Sequence, residues 1–361
     1  MSKRIIISVT SDLYTDQRVL KTANTCYKNG FEVLLVGRSL KKSKSLDLPF
    51  KTKRFHLLFN HSALFFAEFN IRLFFLLLFS RADIFLSNDT DSLSANFLAA
   101  KIRGIKLVFD AHELFPEIPE LQHRNFVKKF WSKIEDIIFP HLKNSYTVCD
   151  SIANHYKNKY GMEMKVVRNM PYFSENPERK ISSSNEKIII YQGALNVGRG
   201  LEWILNAMPL IDNARLLIIG DGDIAETLKQ MVVNLDISDK VTFTGRLESK
   251  KMREYTLSAD LGLCLLENKG LSYYYSLPNR IFDYLNAGVQ VLASDFPEIR
   301  NIVENHRTGC VINHYEPEFL ASVMNEMLKN PISNEHFKTL SKVYCWENEE
   351  KVILEMLGNL K

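Results

Sequence analysis

The sequence predicts an α/β protein of two successive doubly wound domains, each with a parallel sheet between two layers of helices. Apolar segments of strand length alternate with helical segments through the first half of the chain. A polar segment without apolar periodicity interrupts this pattern, and the same alternation then restarts. We therefore expect a first domain at 1–170, a linker at 171–186 and a second domain at 187–340. The C-terminal strand edges of the two domains would face a central cleft.

The first domain is predicted from five strand candidates, at 4–9, 31–36, 83–87, 106–109 and 145–149. The helical segment 16–29 separates the first two and ends at Gly30, a residue typical of helix C-termini.

The second domain is predicted from six strand candidates, at 187–191, 215–219, 241–244, 261–265, 289–293 and 310–312. Helices are expected at about 200–209, 223–235, 248–258, 279–287, 298–305 and 316–329. The last segment, 341–361, contains a helix at 346–360 that we expect to cross back to the first domain.

The composition is that of an ordinary globular protein, with 46% hydrophobic and 24% charged residues in a chain of 361. The net charge of +4 is too small to indicate nucleic-acid binding. Its five cysteines contain no CxxC pair, which argues against a zinc ribbon and fits a reducing compartment. The N-terminus runs into a strand rather than a signal peptide, so we expect a cytoplasmic protein.

Two segments raise the question of membrane contact. Segment 63–79 is strongly apolar but contains Glu68, Asn70 and Arg72, and a membrane span needs about 20 largely uninterrupted apolar residues. We interpret it as a helix buried under the sheet, or as one that dips into a membrane surface. Segment 126–143 combines apolar residues at helical spacing with Trp131 and with Lys128, Lys129 and Lys133 alongside. It fits contact with anionic lipid, or ordinary amphipathic packing.

Segment 273–304 combines a turn, a helix, a buried strand and a second turn. Such an edge is where open α/β sheets bind ligands. Its polar side chains predict a charged, hydroxyl-rich small molecule; they are Asn279, Arg280, Asp283, Ser294, Asp295 and Glu298.

A glycine-bearing loop from Gly193 to Gly200 connects a strand to a helix N-terminus. Backbone N–H groups in such a loop favour anions, and Arg199 adds a donor suited to phosphate oxygens. An ordinary loop with a solvated arginine is the alternative. Gly220 and Gly222 form a second turn after an apolar strand, which is a weaker signal.

These motifs together resemble the family-four glycosyltransferases, which have the GT-B fold. Five landmarks of the second domain occur in the family's order: YQGALNVGRGLE, LLIIGDGD, VTFTGRL, SLPNRIFDYLNAGVQVLASD and EIRNIVENHRTG. The first domain adds TDQRVLKTANTCYKNGFEVLLVGR and KLVFDAHELFPE. The resemblance covers nearly the whole chain.

The resemblance implies that Arg199 binds the donor diphosphate. The family often has a second basic residue after the first glycine, where this chain has Ala194, so more weight falls on Arg199 and Arg280. The segment 243–246, with Gly245 and Arg246, matches the part whose backbone holds the nucleobase. Gly193, Gly200, Gly220 and Gly222 would lie near the donor.

The family often carries two glutamates eight positions apart, one for the donor sugar and one for the ribose. The matching residues here are Tyr275 and Asp283, and Asp283 keeps the carboxylate. The sugar contact could pass to Tyr275, to Glu267, or to backbone groups of Leu277, Pro278 and Asn279.

In the first domain, His112 matches the family's histidine that faces the donor sugar across the cleft. Glu113 and Glu117 are weaker candidates, and Asp16, Gln17 and Arg18 open a helix near the expected acceptor. The triplet Asp89-Thr90-Asp91 precedes a helix, and we interpret it as helix capping rather than a metal site. We expect no metal and no cofactor other than the sugar nucleotide.

The sequence thus predicts a retaining glycosyltransferase of cell-surface polysaccharide synthesis. It would use a nucleoside-diphosphate sugar and a glycan or lipid-linked acceptor at the inner face of the plasma membrane. The alternatives are a GT-B sugar-nucleotide epimerase and a catalytically weak sugar-nucleotide-binding partner. A Rossmann dehydrogenase is disfavoured because the first strand lacks a GxGxxG turn.

Overall fold

The computed structural model describes residues 2–41, 43–174 and 186–360. The chain divides into two compact units. The first unit comprises Met1–Asn169 and Glu349–Lys361, and the second comprises Met170–Asn348. Of the linker predicted at 171–186, residues 175–185 lie outside the described residues.

The first unit is built on a parallel sheet of seven strands among its described residues, in the order β3-β2-β1-β4-β5-β6-β7. The strands are β1 Arg4–Asp12, β2 Glu32–Arg38, β3 Lys51–Phe55, β4 Ile84–Asn88, β5 Lys106–Ala111, β6 Ser145–Thr147 and β7 Lys165–Val166. The sequence prediction missed β3 and β7. β3 is largely exposed and rich in lysine and arginine, and β7 has two residues, so neither shows an apolar strand pattern.

Helices connect these strands. They are α1 Gln17–Lys28, α2 Ser62–Phe79, α3 Asp89–Arg103, α4 Asn125–Ile138 and α5 Asp150–Tyr160. Asp16 caps α1, since its side chain accepts a hydrogen bond from Val19 N at 3.2 Å. The core strand β1 is apolar on both faces because helices cover both sides of a doubly wound sheet, and Ile5, Ile6 and Ile7 are almost fully buried.

Helix α2 is long and apolar enough to cross a membrane, by length and composition only. It connects β3 and β4 of one sheet, and it buries Phe65, Phe69, Leu73 and Leu77 in the core of the first unit. The expected burial under the sheet therefore holds for one stripe of the helix, while the opposite stripe is exposed.

The second unit has a parallel sheet of six strands among its described residues, in the order β10-β9-β8-β11-β12-β13. The strands are β8 Lys187–Gln192, β9 Ala214–Ile219, β10 Val241–Gly245, β11 Leu261–Cys264, β12 Gln290–Ser294 and β13 Gly309–Ile312. The strand order reverses at β8, and open α/β sheets commonly bind ligands at the carboxyl end of such a strand.

The helices of the second unit are α6 Leu201–Ala207, α7 Ala225–Asn234, α8 Ser249–Leu257, α9 Leu271–Tyr274, α10 Asn279–Ala287, α11 Pro297–Val303, α12 Pro317–Lys329 and α13 Asn334–Val343. The sequence prediction missed α9 and α13. A helix of four residues, such as α9, is too short to show a period. Helix α13 runs past the boundary predicted at 340, and the second unit extends to Asn348.

The last helix, α14 Trp346–Gly358, belongs to the first unit from Glu349 onward. The Glu349 carboxylate accepts a hydrogen bond from the Arg168 backbone N–H at 2.5 Å, and Glu350 accepts one from the Thr25 hydroxyl at 2.6 Å. The end of the chain is thus fixed to the first unit by polar contacts.

Candidate functional site

Three strand ends of the second unit meet through glycine backbone. Gly193 N, after β8, donates to Ile219 O at 2.9 Å, and Gly220 N, after β9, donates to Gly245 O at 3.0 Å. A Cβ at Gly220 would lie 1.8 Å from Gly193 O, so no other residue fits without a backbone shift. This explains the glycines that the sequence analysis placed near the donor.

The glycine loop is fixed at both ends. Leu195 N donates to Asp221 O at 3.1 Å, and a Cβ at Gly222 would lie 2.5 Å from Leu195 O. At the far end, a Cβ at Gly200 would lie 2.7 Å from the Leu265 Cβ. Both ends of the loop between β8 and α6 therefore pack closely against neighbouring segments.

Arg280 lies buried beneath this loop, on the first turn of α10. Its Nε donates to Cys264 Sγ at 3.3 Å and its Nη1 to Gln192 O at 3.2 Å, while its guanidinium lies 4.7 Å from the ring centroid of Tyr191. The Nη1 atom lies 3.0 Å from the position of a Gly193 Cβ. Its Nη2 is buried without a hydrogen-bond partner among the described residues. The positive charge is thus held directly beside the Gly193 turn.

Arg199 is half-buried in the same loop. Its guanidinium lies 4.9 Å from the ring centroid of Tyr273 on α9, which fixes its orientation by a cation–π contact. The Nε atom is buried and finds no acceptor in the part of the chain that the structure describes. A buried guanidinium N–H without an acceptor is costly, and an anionic ligand at this loop would supply the acceptor.

Lys269 was not singled out from the sequence, yet it lies beside the glycine loop. A Cβ at Gly198 would be 3.0 Å from its side-chain methylenes. Its Nζ pairs with Glu267 at 3.1 Å, and the backbone N–H of Glu267 donates to Gly198 O at 2.9 Å. The only signal available in the sequence was a lysine shortly after a strand end.

Asp283 lies about one turn after Arg280 on α10, and a chain of side chains holds it in place. Gln192 Nε2 donates to Asp283 Oδ2 at 2.8 Å, and Gln192 Oε1 accepts from the Thr256 hydroxyl at 2.8 Å. The sequence analysis missed Gln192 and Thr256. A polar residue at the last position of a buried strand was the signal that could have found Gln192.

The segment 275–279 connects α9 and α10. Tyr275 ends α9, Leu277 is buried, Pro278 precedes α10 and Asn279 is exposed. Arg246 is exposed just after β10. The roles of these residues toward a sugar or a base stay predictions.

In the first unit, His112 lies between two carboxylates. Its Nδ1 is 3.1 Å from Asp89 Oδ2 and its Nε2 is 3.1 Å from Asp110 Oδ2. Burial lowers the pKa of His112, but both carboxylates outweigh burial and raise this pKa well above its usual value. The imidazolium form is therefore favoured, and both ring nitrogens contact carboxylates of the first unit. Its role toward a donor stays a prediction.

Asp110 completes this arrangement through Arg18, whose Nη2 and Nε donate to its two oxygens at 2.7 and 2.9 Å. Burial alone would raise the pKa of Asp110, but Arg18 and His112 lower it to about 2. Arg18, predicted near the acceptor, is buried in this ion pair. Glu113 follows His112, and its burial, together with the Asp89 charge, raises its pKa to about 8. Glu117 pairs with Lys128 at 2.7 Å.

The helix-capping interpretation of Asp89-Thr90-Asp91 was wrong. The N-cap of α3 is Asn88, which makes no side-chain capping bond. Asp89 instead accepts the His112 backbone N–H at 2.8 Å, and Asp91 accepts a hydrogen bond from the Thr10 hydroxyl. The backbone at Asp89 has a positive φ of 57°, and its side chain contacts His112 rather than the N–H groups of its own helix.

Two family models match the chain in succession. The model described as "Glycosyltransferase Family 4" matches residues 16–170, and that described as "Glycosyl transferases group 1" matches residues 173–342. The chain belongs to the family-four GT-B glycosyltransferases.

Relatives of this family member match parts of the chain. An uncharacterised glycosyltransferase of Methanocaldococcus jannaschii is 25% identical over 48% of this chain and 47% of its own length. The alpha-monoglucosyldiacylglycerol synthase of Streptococcus pneumoniae is 26% identical over 44% of this chain and 34% of its own. The matches therefore span about half or less of these relatives.

Solved structures confirm the GT-B fold. A sucrose-phosphate synthase of Thermosynechococcus elongatus has a TM-score of 0.81 at 14% identity, covering 99% of both chains. The Anabaena protein HepE, solved in complex with UDP-glucose, has a TM-score of 0.74 at 15% identity, covering 99% of this chain and 100% of its own. The predicted architecture of two parallel-sheet domains is therefore confirmed.

Proposed function

We propose that the protein is a retaining glycosyltransferase that takes a sugar from a nucleoside-diphosphate sugar. The observation that carries the proposal is the pair of guanidinium groups beside the glycine loop. Arg199 Nε and Arg280 Nη2 are buried and lack acceptors among the described residues. A diphosphate would supply acceptors for both, with the charge-assisted bonds that arginine forms best.

The proposed chemistry needs stabilisation of the leaving nucleoside diphosphate. Negative charge develops on its β-phosphate as the sugar departs, and the fixed positive charges of Arg199 and Arg280 would stabilise it. Asp283, held by Gln192, offers a carboxylate to the two ribose hydroxyls. Retention of the sugar's configuration rests on the family resemblance. It would follow if the acceptor attacks the sugar, within an ion pair, on the same face from which the nucleoside diphosphate leaves.

The donor base and sugar are best sought by direct binding. HepE was solved with UDP-glucose, which makes a uridine nucleotide the first candidate. A thermal-shift screen against UDP, GDP, ADP and their sugars should raise the melting temperature for one base. Stabilisation by none of them would contradict the proposed donor site.

The transfer reaction is tested with Arg199→Ala and a matched control. Removing one charged donor from a developing anion costs about a hundredfold or more in turnover, so we expect a loss of that order. Arg215→Ala is the control, because Arg215 is half-exposed and, among the described residues, its ion pair is with Glu186 at 3.6 Å. Equal turnover of Arg199→Ala and wild type would overturn the assignment. Conversion of the donor in the absence of an acceptor would indicate an epimerase. Donor binding without any turnover would indicate a catalytically weak binding partner.

The acceptor is proposed to be a glycan or a lipid-linked molecule of cell-surface polysaccharide synthesis, used at the cytoplasmic side of the plasma membrane. The name of the Streptococcus relative, a diacylglycerol glycolipid synthase, supports a lipid among the candidates. We also propose that transfer needs no divalent metal, since Asp89 and Asp91 bond to His112 and Thr10. Turnover should then be unchanged in EDTA, and a loss that Mg²⁺ or Mn²⁺ restores would refute this.

A further inference from the structure

Helix α2 exposes a stripe of large apolar side chains, roughly opposite its buried stripe. The stripe is continuous from Ile71 to Phe79, and Glu68 separates it from Leu64. The side chains recur at helical spacing and are 55%, 59%, 52% and 80% exposed at Leu64, Ile71, Phe75 and Phe79. Single exposed apolar residues are ordinary on a protein surface, but a continuous row of them marks an interaction site.

The neighbouring helices α3 and α4 also expose large apolar side chains. Leu98 and Ile102 of α3 are 51% and 64% exposed. On α4, Phe126, Phe130 and Ile137 are 85%, 53% and 56% exposed. We call these exposed side chains of α2, α3 and α4 the apolar face.

The three helices lie side by side on one side of the sheet. The crossovers β3–α2–β4, β4–α3–β5 and β5–α4–β6 all run in the same direction along the sheet, and right-handed crossovers then place their helices on the same face. Helix α2 packs on α3, and α3 on α4. Phe66 of α2 also meets Trp131 of α4, with ring centroids 5.1 Å apart. Trp131 itself is buried and does not belong to the exposed side of α4.

The charges around the apolar face are mostly positive. The exposed basic residues of the three helices are Arg72, which pairs with Glu68 at 2.6 Å, and Lys101, Lys129 and Lys133. Asp136 is their one exposed acidic residue. On α4, Phe126, Phe130, Lys133 and Ile137 follow one another along the same helix side, so lysine and apolar side chains are interleaved. Lysine is depleted at the cores of protein–protein interfaces, whereas lysine beside exposed aromatic residues is typical of helices that lie on anionic membranes.

We infer that the apolar face seats the first unit on an anionic lipid bilayer, with the exposed residues of α2 and α4 entering the headgroup region. Helix α2 lies along the surface rather than across the membrane. Its two flanking strands belong to one sheet, and its buried stripe is part of the core. The inference concerns the first unit alone and does not depend on the transfer reaction.

The test is co-sedimentation of the full chain with vesicles of phosphatidylcholine alone and with about 30% phosphatidylglycerol, at low and high salt. We expect binding to the anionic vesicles that weakens with salt. Phe75→Ser/Phe79→Ser and Phe126→Ser/Phe130→Ser should each lower the partition coefficient at least about tenfold, because each removes two inserting rings. Lys129→Gln/Lys133→Gln should weaken binding to anionic vesicles only.

The matched control is Val233→Ser/Val343→Ser, which removes two exposed apolar residues of the second unit, 62% and 57% exposed. It should bind vesicles like wild type, and melting curves check that every variant folds. Either phenylalanine pair can carry the test if the other misfolds. Absence of wild-type binding at low salt, or equal losses in the control, would overturn the inference. So would a concentration-dependent dimer, seen by light scattering, that Phe75→Ser/Phe79→Ser abolishes, because the face would then bind a second copy.

Discussion

The side-chain amide of Gln192 donates a hydrogen bond to the carboxylate of Asp283 at 2.8 Å. This contact joins the last residue of β8 to α10. The backbone carbonyl of the same glutamine accepts from Arg280 Nη1 at 3.2 Å. One residue thus orients both the carboxylate proposed for the ribose and the guanidinium proposed for the diphosphate.

Gln192→Ala should weaken donor binding. It removes one hydrogen bond from the Asp283 carboxylate but keeps the backbone carbonyl that accepts from Arg280. A hydrogen bond to a charged group contributes about 1.5–3 kcal/mol, so we expect the donor Kd to rise about tenfold or more in isothermal titration. The control is Gln290→Ala, another buried strand glutamine, which bonds Met327 O at 2.7 Å. Similar donor affinities for both variants would show that Gln192 acts only in folding.

Gly220→Ala should disrupt the glycine loop. Its Cβ would lie 1.8 Å from Gly193 O, and relief requires a shift of backbone rather than of a side chain. We expect a cost above about 2 kcal/mol, seen as a fall in melting temperature of several degrees. Gly104→Ala is the comparison, because Gly104 also has a positive φ but open space around its Cβ position. If both variants melt alike, backbone conformation alone would explain the effect.

Asp110→Asn should destabilise the first unit strongly. It leaves the buried Arg18 guanidinium without its charged partner, and breaking a buried ion pair costs about 3–5 kcal/mol. Chemical denaturation measures the loss. Glu32→Gln, at the exposed pair with Arg4, should cost less than about 1 kcal/mol. A small effect at Asp110 would mean that Arg18 finds another acceptor.

Glu135 should make stability depend on pH. Burial raises its pKa from 4.5 to about 7, although Lys159 and the hydroxyls of Tyr156 and Tyr160 oppose the rise. A carboxyl group whose folded pKa exceeds its unfolded value stabilises fully at low pH, and this contribution falls as pH rises from about 4.5 to about 7.

The free energy of unfolding should therefore decrease less between about pH 5 and pH 8 in Glu135→Gln than in the wild type. Denaturation at several pH values measures this profile. Glu163→Gln, at an exposed pair with Lys157, should keep the wild-type profile. A glutamine variant at position 135 with the wild-type slope would contradict the raised pKa.

Much of the fold could be predicted because apolar periodicity is a local signal. The strands β1, β8 and β12 are runs of buried residues bounded by turn residues, and they were found within about one to three residues of their observed ends. Strand β3 and helix α9 could not be predicted, since the first is polar and exposed at an edge and the second is only four residues long.

The residues of the candidate site also fall into those that could be predicted from the sequence and those that could not. Arg199, Arg280 and Asp283 could be found because they occupy motif positions beside glycines and turns. Gln192 and Lys269 could not, because their importance lies in contacts with residues distant in sequence.

By itself, the sequence determined the α/β class, the two-part organisation and the family, since these depend on local patterns and on the order of motifs. Only the tertiary structure decided that Asp89 turns to His112 instead of capping α3, that Arg280 is buried beside Gly193, and that α2 hides one apolar stripe and exposes another. Each of these outcomes depends on which distant surfaces meet, and burial and pairing energies at such contacts outweigh local preferences.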